Sequence, residues 1–226
     1  VNGVVIICGD AKTAKDFLKQ YKGNVLTYGF SPLNDYVISS YRVENGKIHF
    51  RVQGKEIDLG AFMLSVPGEH NALNSVAACL AARETGITLE ACKQALVSFQ
   101  GTKRRLEYKG TLQNGAILYD DYAHHPTEII SSLHALKRMY PTKSLLCIFQ
   151  PHTYSRTKEL FHEFTDSFTD ADEVILLPIF SSAREQVDET ISSALLVEEM
   201  KKLGKNVQIR EKSADVVEYI RQNHEG

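Results

Sequence analysis

The spacing of hydrophobic and polar residues changes along the chain, and it predicts strands first and helices later. Two apolar runs of strand length, Val4–Cys8 and residues 25–28, flank a short segment of helical spacing at residues 12–20. From residue 36 to residue 64 polar and apolar residues alternate, and glycines interrupt the alternation, which is typical of hairpins. We therefore predict two strands around a short helix, followed by a small antiparallel sheet.

Helical spacing begins after residues 67–68, where Pro-Gly interrupts the chain, and it predicts a helix that ends near Gly86. The apolar residues that share one face of this helix are Leu73, Val76, Ala77 and Leu80. A second helix is predicted over residues 89–99, and Thr88 is its expected N-cap. The cluster at residues 101–105 is the predicted boundary between two domains.

The second half alternates short apolar runs with longer segments of helical spacing. The predicted strands are 116–119, 144–149, 173–177 and 207–209. The predicted helices are 128–139, 158–168, 192–203 and 216–223. This order predicts βαβ units with a mostly parallel sheet, and hence an α/β fold. Because ligands bind beyond the carboxyl ends of parallel strands, we expect the polar segments that follow these strands to line one groove.

The segment at residues 120–128, after the first of these strands, carries two carboxylates, a phenol and two imidazoles. These side chains belong to Asp120, Asp121, Tyr122, His124 and His125. Pro126 is expected at the first position of a helix, whose positive end would favour an anion nearby. The alternative is a polar surface loop. Metal binding is disfavoured, because adjacent histidines cannot both face one ion and no third ligand is near.

A second polar segment, residues 149–157, follows the next strand and contains His152 and Arg156. Arg156 lies near the start of a predicted helix, and its planar guanidinium suits a carboxylate or a phosphate. The alternative is a solvated arginine in a first helical turn. After the third strand, residues 181–185 either complete the same groove or form a loop without a function.

Two further groups are candidates for binding a nucleotide. Arg104 and Arg105, at the predicted boundary, are either a solvated pair or two cations for phosphates. His70, Asn71 and Asn74 could together hydrogen-bond a purine, whereas Asn71 could instead be a helix N-cap. No P-loop motif is present, because none of the Gly-Lys pairs in the chain is followed by Ser or Thr.

Composition and charge narrow the possible functions. Hydrophobic residues make up 43% of the 226 and charged residues 24%, as in ordinary globular proteins. A net charge of −2 argues against general binding to nucleic acids, and no apolar run reaches the about 18 residues of a membrane span. The N-terminal run lacks the features of a signal peptide. Four scattered cysteines without a CxxC motif favour a reducing, cytoplasmic compartment.

Four stretches together resemble the Mur ligase family, and in particular its alanine-adding branch. They are residues 66–74, 101–106, 120–128 and 149–157, with Asp-Tyr-Ala-His-His-Pro in the third and Phe-Gln-Pro-His-Thr-Tyr-Ser-Arg-Thr as the fourth. The resemblance implies that residues 1–101 are the later part of a central ATP-binding domain, without its P-loop half. It also implies that residues 102–226 are a Rossmann-like C-terminal ligase domain. Since the family's first domain and the P-loop half of its central domain are missing here, we expect a fragment that is inactive alone.

The chemistry that this resemblance implies is the ATP-dependent ligation of L-alanine to the lactyl carboxylate of UDP-N-acetylmuramate, through an acyl phosphate, in peptidoglycan synthesis. Mg²⁺ is expected to accompany ATP, with ligands outside this chain. The residues implied in ATP binding are His70, Asn71, Asn74, Arg104, Arg105 and Asp121. The residues implied at the reacting groups and the incoming alanine are Tyr122, His124 and Arg156, supported by His125, His152 and Arg184.

One departure from the family pattern motivates the inclusion of Arg184. Some members carry Arg where this chain has Thr153, and we hypothesise that Arg184 takes over its contact with the substrate. Two alternative functions stay open. One is a sister ligase, with a similar His-His-Pro loop, that attaches a murein tripeptide to UDP-N-acetylmuramate. The other is a nucleotide-binding module without chemistry.

Overall fold

The computed structural model describes residues 3–44, 46–55, 57–183 and 185–224 of the chain. The chain divides into two compact units, Val1–Gly101 and Thr102–Gly226. Each unit combines helices with β-sheet, so the predicted α/β class is confirmed.

The first unit is built on a five-stranded mixed sheet. Its elements are β1 (Val4–Cys8), α1 (Ala14–Gln20), β2 (Asn24–Gly29), β3 (Tyr36–Glu44), β4 (Lys47–Gly54), β5 (Asp58–Leu64), α2 (Glu69–Glu84) and α3 (Leu89–Ser98). The strands follow one another in chain order, with parallel pairing from β1 to β3 and antiparallel pairing from β3 to β5. The predicted antiparallel strands are present. They are three of the five strands of a larger sheet, however, and not a separate small sheet, because β3 also pairs with β2 through Tyr28 and Tyr36.

The core of this unit follows the alternation seen in the sequence. Ile48, Phe50 and Val52 of β4 are buried, while the residues between them are more exposed. Helix α2 contributes Val76 and Leu80 to the same cluster. Burying a side chain of this size contributes about 1.5–3 kcal/mol. At the start of α3 the Thr88 hydroxyl accepts a hydrogen bond from the Ala91 N–H at 3.3 Å, which confirms the predicted N-cap.

The second unit contains a three-stranded parallel sheet and a separate two-stranded hairpin. Its elements are β6 (Glu107–Thr111), β7 (Ile117–Asp120), α4 (Pro126–Met139), β8 (Leu146–Phe149), α5 (Tyr154–Glu159), α6 (Phe161–Asp166), β9 (Glu173–Leu176), α7 (Ser193–Lys202), β10 (Val207–Ile209) and α8 (Ser213–His224). The parallel sheet has the order β10-β9-β8. The central strand packs on both faces, because Val174 and Leu176 join one core cluster and Ile175 another. This double burial explains the continuous apolar runs of the sequence.

Two predictions for this unit were wrong in detail. The strand at 116–119 was expected in the parallel sheet, but β7 pairs antiparallel with β6, a strand that the sequence pattern did not predict. The turn between them is tight, with Gly115 at φ 81°, which favours a hairpin between neighbours in sequence. The predicted helix at 158–168 is two short helices, because Leu160 leaves the helical conformation and packs against the core together with Phe161.

Candidate functional site

The segment after β7, residues 120–128, leads directly into α4. Pro126 occupies the first position of this helix, as predicted. His125 is its N-cap, and the Nδ1 atom of His125 accepts a hydrogen bond from the Thr127 N–H at 3.3 Å. The positive end of α4 therefore lies beside the predicted site residues.

Asp121 fastens this segment to the turn that carries the two arginines. Its Oδ1 atom accepts a hydrogen bond from the Leu106 N–H at 3.1 Å, and its Oδ2 atom accepts one from the Ser132 hydroxyl. The Tyr122 N–H in turn donates to the Arg104 carbonyl at 2.8 Å. Both carboxylate oxygens of Asp121 thus have partners within the unit.

Arg104 and His124 both contact the ring of Tyr122. The guanidinium of Arg104 lies over the ring of Tyr122, 4.8 Å from its centroid, which is the geometry of a cation–π contact. The ring of His124 meets the ring of Tyr122 edge-on at 5.2 Å. A guanidinium, a phenol and an imidazole therefore lie next to one another.

Glu128 connects this group to Arg105. Its Oε2 atom accepts from the His124 N–H at 3.0 Å, and its Oε1 atom lies 3.7 Å from the guanidinium of Arg105. Partial burial is the largest single influence on the pKa of Glu128 and raises it, but the His124 hydrogen bond and the charges of His124 and Arg105 together lower the pKa below its ordinary value. We refer to Arg104, Arg105, Tyr122, His124 and Glu128 as the arginine–histidine cluster.

The hydrogen bonds of His124 indicate which of its two ring nitrogens carries the hydrogen. Its Nδ1 atom lies 2.9 Å from the Tyr122 carbonyl oxygen and 3.4 Å from the Glu128 carboxylate. Both partners can only accept, so Nδ1 carries the hydrogen. In the neutral ring the lone pair is then on Nε2, against which the described residues place no hydrogen-bond partner.

The segment after β8, residues 150–156, has a different construction. Thr153 adopts φ 74° and ψ 138°, a conformation that a β-branched residue rarely adopts. The Arg156 N–H donates to the Thr153 hydroxyl at 3.4 Å, and the Arg156 guanidinium donates to the His152 carbonyl at 3.4 Å. The ring of His152 stacks on the ring of Phe180 with 5.4 Å between centroids. The structure therefore brings His152 and Arg156 together at one helix start.

The residues predicted to contact adenine lie in the first two turns of α2. The N-cap is Gly68 at φ 100°, so the interpretation of Asn71 as the N-cap was wrong; the Asn71 amide donates to the Pro67 carbonyl at 2.5 Å. Gly68 leaves room for His70, because a Cβ atom at position 68 would lie 2.4 Å from the imidazole. Asn74, one turn after His70, is exposed on the same side of the helix.

The role of Arg184 and the shared groove both stay predictions. Arg184 lies outside the described residues, so its role stays a prediction. The groove shared by the segments after β7 and β8 also stays a prediction, although Ala123 and Phe149 pack in the same core cluster.

Sequence reasoning missed the part played by Glu128. It lies in the first turn of α4, three residues after the N-cap His125, where an acidic side chain can reach back to backbone N–H groups at the helix start. That spacing was the available signal.

Family models match both units. The Mur ligase middle domain matches residues 1–82, and the glutamate ligase domain of Mur ligases matches residues 104–226, more than half of the chain. The chain belongs to the Mur ligase family.

Individual Mur ligases match nearly the whole chain. A UDP-N-acetylmuramate–L-alanine ligase of Carboxydothermus hydrogenoformans is 39% identical over 221 residues, which are 98% of this chain and 47% of that protein. A ligase of the same name from Caldanaerobacter subterraneus subsp. tengcongensis is 38% identical over 225 residues, or 99% of this chain and 48% of that protein. The chain thus spans about half the length of the curated relatives it matches.

Solved structures of Mur ligases share the fold. The UDP-N-acetylmuramate–alanine ligase of Thermotoga maritima superposes with a TM-score of 0.73 at 24% identity, over 92% of this chain and 43% of that one. A murein peptide ligase of Psychrobacter arcticus gives a TM-score of 0.64 at 20% identity, over 96% of this chain and 45% of that one. At these identities the likeness concerns the fold alone.

Proposed function

We propose that this Mur ligase chain serves the ATP-dependent ligation of L-alanine to the lactyl carboxylate of UDP-N-acetylmuramate, in the cytoplasmic synthesis of peptidoglycan. The observation that carries the proposal is the 39% identity, over 98% of the chain, to a protein named for that reaction. In this proposal residues 1–101 are part of the ATP-binding domain and residues 102–226 are the C-terminal ligase domain.

The proposed reaction has two steps. The γ-phosphoryl group of ATP passes to an oxygen of the lactyl carboxylate, which gives ADP and an acyl phosphate. The amine of alanine then attacks the acyl carbon, the bond from that carbon to the phosphate oxygen breaks, and inorganic phosphate leaves as the amide forms. The chain must therefore bind anions, orient the amine and accept a proton from it.

His124 is the proposed acceptor of that proton. With Nδ1 donating to the Tyr122 carbonyl at 2.9 Å, the Nε2 lone pair can take a proton from the alanine ammonium group. Glu128, 3.4 Å from Nδ1, stabilises the imidazolium that results. The ring of Tyr122 holds the imidazole edge-on and limits its rotation.

Arg105 and Arg104 are proposed to bind the ATP phosphates. Arg105 suits this role because its side chain is 58% exposed and its contact with Glu128 is long, so the guanidinium can turn to a stronger anion. Asp121 is proposed to help orient the nucleotide through the turn that it holds with its Leu106 hydrogen bond.

On helix α2, His70, Asn71 and Asn74 are proposed to contact adenine, and the exposed amide of Asn74 suits a hydrogen bond to a base. Mg²⁺ is proposed to accompany ATP. Among the described residues no group of three or more His, Cys, Asp or Glu side chains could hold a metal ion. The ligands of Mg²⁺ are proposed to lie outside this chain, and no step is assigned to it.

The incoming alanine is proposed to bind at the segment after β8. Arg156 would hold its carboxylate, since a guanidinium can donate two parallel hydrogen bonds to it. His152 and His125 are proposed as supporting residues, and Arg184 as a second cation for the same carboxylate.

The test is a ligation assay on the full-length protein with ATP, UDP-N-acetylmuramate and either L-alanine or a murein tripeptide. We expect alanine to be joined and phosphate release to depend on alanine. Replacing His124 by Gln should lower kcat by about 10²- to 10⁴-fold, the range for a general base. The matched control is His134→Gln, an exposed histidine of α4 whose partner is Asp170.

Two results would contradict the proposal. Preferential ligation of the tripeptide would indicate the sister ligase. Saturable binding of ATP in calorimetry, weakened by Arg105→Ala but accompanied by no ligation of either acceptor, would indicate a nucleotide-binding module.

A further inference from the structure

Glu185, which follows β9, binds the backbone of the segment that carries Arg156. Its Oε2 atom accepts a hydrogen bond from the Tyr154 N–H and its Oε1 atom accepts one from the Ser155 N–H, both at 2.7 Å. These N–H groups have no partner inside α5, since they belong to its first turn. Hydrogen bonding from Ser155, and further from Tyr154, keeps the pKa of Glu185 below its ordinary value. The carboxylate is therefore charged at neutral pH, and each hydrogen bond is of the strong, charge-assisted kind.

Backbone hydrogen bonds also join the segment after β8 to Phe180, which follows β9. The Phe180 N–H donates to the Pro151 carbonyl at 2.8 Å, and the Thr153 N–H donates to the Phe180 carbonyl at 3.0 Å. His152 and Phe180 form a parallel bridge beyond the ends of β8 and β9, with their rings stacked. Thr153 is thus flanked by Phe180 on one side and by the contacts of Glu185 on the other.

This arrangement accounts for the unusual backbone of Thr153. A β-branched residue at φ 74° persists only where the surrounding structure holds it. The position of the Arg156 side chain depends on that backbone, because the Arg156 N–H binds the Thr153 hydroxyl and its guanidinium binds the His152 carbonyl. A change at Glu185 would therefore be transmitted to Arg156 without any contact between the two side chains.

We infer that Glu185 is a positioning residue, which holds residues 151–156 in the conformation that presents Arg156 to the carboxylate of the incoming L-alanine. The inference rests on the proposed function. Glu185 does not touch the reacting atoms in this scheme, and it acts through the first turn of α5.

The experiment compares Glu185→Gln, Glu185→Asp and a control, Glu189→Gln, in the full-length protein. Glu189 is exposed and has no hydrogen bond or ion pair within the described part of the chain. We expect Glu185→Gln to raise the KM for L-alanine by about 10-fold, because one charged hydrogen bond to the α5 turn is lost. The KM for ATP and the thermal midpoint should stay at the values of the unaltered protein. Glu185→Asp keeps the charge, so its KM for L-alanine should lie between those of the unaltered protein and Glu185→Gln. Glu189→Gln should leave every KM and the thermal midpoint unchanged.

Hydrogen exchange gives a second readout that does not depend on activity. Peptides that cover residues 150–158 should exchange faster in Glu185→Gln, while peptides that cover residues 120–128 should not change. An unchanged KM for alanine would overturn the inference, and so would a rise of all KM values together with a lower thermal midpoint. If Glu185→Gln does not fold, the KM for alanine of Glu185→Asp decides in the same way.

The two proposals fail differently. If the unaltered protein joins no alanine, the proposed function is wrong, and the exchange of residues 150–158 still decides whether Glu185 holds the segment. If the unaltered protein joins alanine and Glu185→Gln does so with the same KM, only the role of Glu185 is wrong.

Discussion

The two polar segments of the second unit are held in place by different means. Residues 120–128 contain their own carboxylates, and Asp121 and Glu128 use them to bind Leu106, Ser132, His124 and Arg105. Residues 150–156 contain no acidic residue, and the carboxylate that binds their backbone comes from Glu185. The first segment is thus fixed through its own side chains, and the second through its backbone and the carboxylate of a residue that follows β9.

Because of this difference, we expect substitutions in the two segments to act in different ways. A substitution within 120–128 alters the proposed functional side chains directly, because the carboxylate of Glu128 contacts both His124 and Arg105. A substitution around 150–156 alters the path of the chain first and the functional side chains second. Variants can therefore be chosen to disturb both segments, one segment, or only the attachment of α5.

The largest effect is expected from Phe164→Ala, which removes a fully buried ring from the core cluster that includes Ala123 of the first segment and Phe149, the residue just before the second. The free energy of unfolding should fall by about 3–5 kcal/mol, the cost of such a cavity, in urea denaturation. Hydrogen exchange should accelerate in both segments. Ile130→Ala, at a half-exposed site of α4, should cost much less. Acceleration confined to one segment would show that they do not share this support.

Glu128→Gln should act on the first segment alone. The variant weakens the charged contacts with the His124 amide and with Arg105, and hydrogen bonds to charged groups contribute about 1.5–3 kcal/mol. We expect kcat/KM in the ligation assay to fall by about 10- to 100-fold. Glu163→Gln, on the exposed side of α6, is the control. Equal activities of the two variants would remove Glu128 from the arginine–histidine cluster as a functional member.

The backbone of the second segment is tested by a pair of variants at Thr153. Glycine adopts φ 74° without strain, whereas alanine keeps the strain and loses the hydroxyl that caps α5. The glycine variant should therefore be more stable than the alanine variant by about 1–2 kcal/mol, because alanine keeps the strain and glycine is also the better N-cap residue. Urea denaturation of both variants measures the difference. Equal stabilities, or a more stable alanine variant, would mean that Thr153 is not strained.

The smallest effect concerns Asp188, which binds Lys158 of α5 at 2.9 Å. Hydrogen bonds from Thr190, followed by Lys158, lower the pKa of Asp188 to about 2. Because the pKa of the folded state lies below that of the unfolded chain, this contribution is complete above about pH 4 and disappears as the pH falls toward 2. The thermal midpoints of the unaltered protein and Asp188→Asn should differ slightly at pH 6 and converge at acid pH. A constant difference over that range would contradict the assignment.

Much of the fold could be predicted, because it depends on local patterns. The apolar run of β9 gave a parallel strand, Pro126 marked the start of α4, and Thr88 marked the start of α3. Strand β6 was missed because Glu107, Lys109 and Thr111 are polar, as expected of a strand with little burial. The pairing of β7 with β6 depends on a turn, which the strand pattern alone did not reveal.

The residues of the candidate site could be predicted from the sequence, but the contacts that hold them in place could not. The resemblance to Mur ligases supplied the residue types, and the order of strands supplied their place at the ends of β7 and β8. The internal partners of Asp121, the φ of Thr153 and the contact from Glu185 depend on tertiary neighbours, so no local pattern encodes them. They are nevertheless the contacts that decide where each functional group lies.

The long separation in sequence between Glu185 and its partners also bears on the order in which the chain acquires its structure. Tyr154 and Ser155 leave the ribosome 31 and 30 residues before the glutamate that binds them. The contact between His124 and Glu128 closes over four residues, and that between Asp121 and Ser132 over 11. Since short loops close at a lower entropic cost, we expect residues 120–128 to gain protection early in synthesis and residues 150–156 only after β9 and Glu185 have emerged.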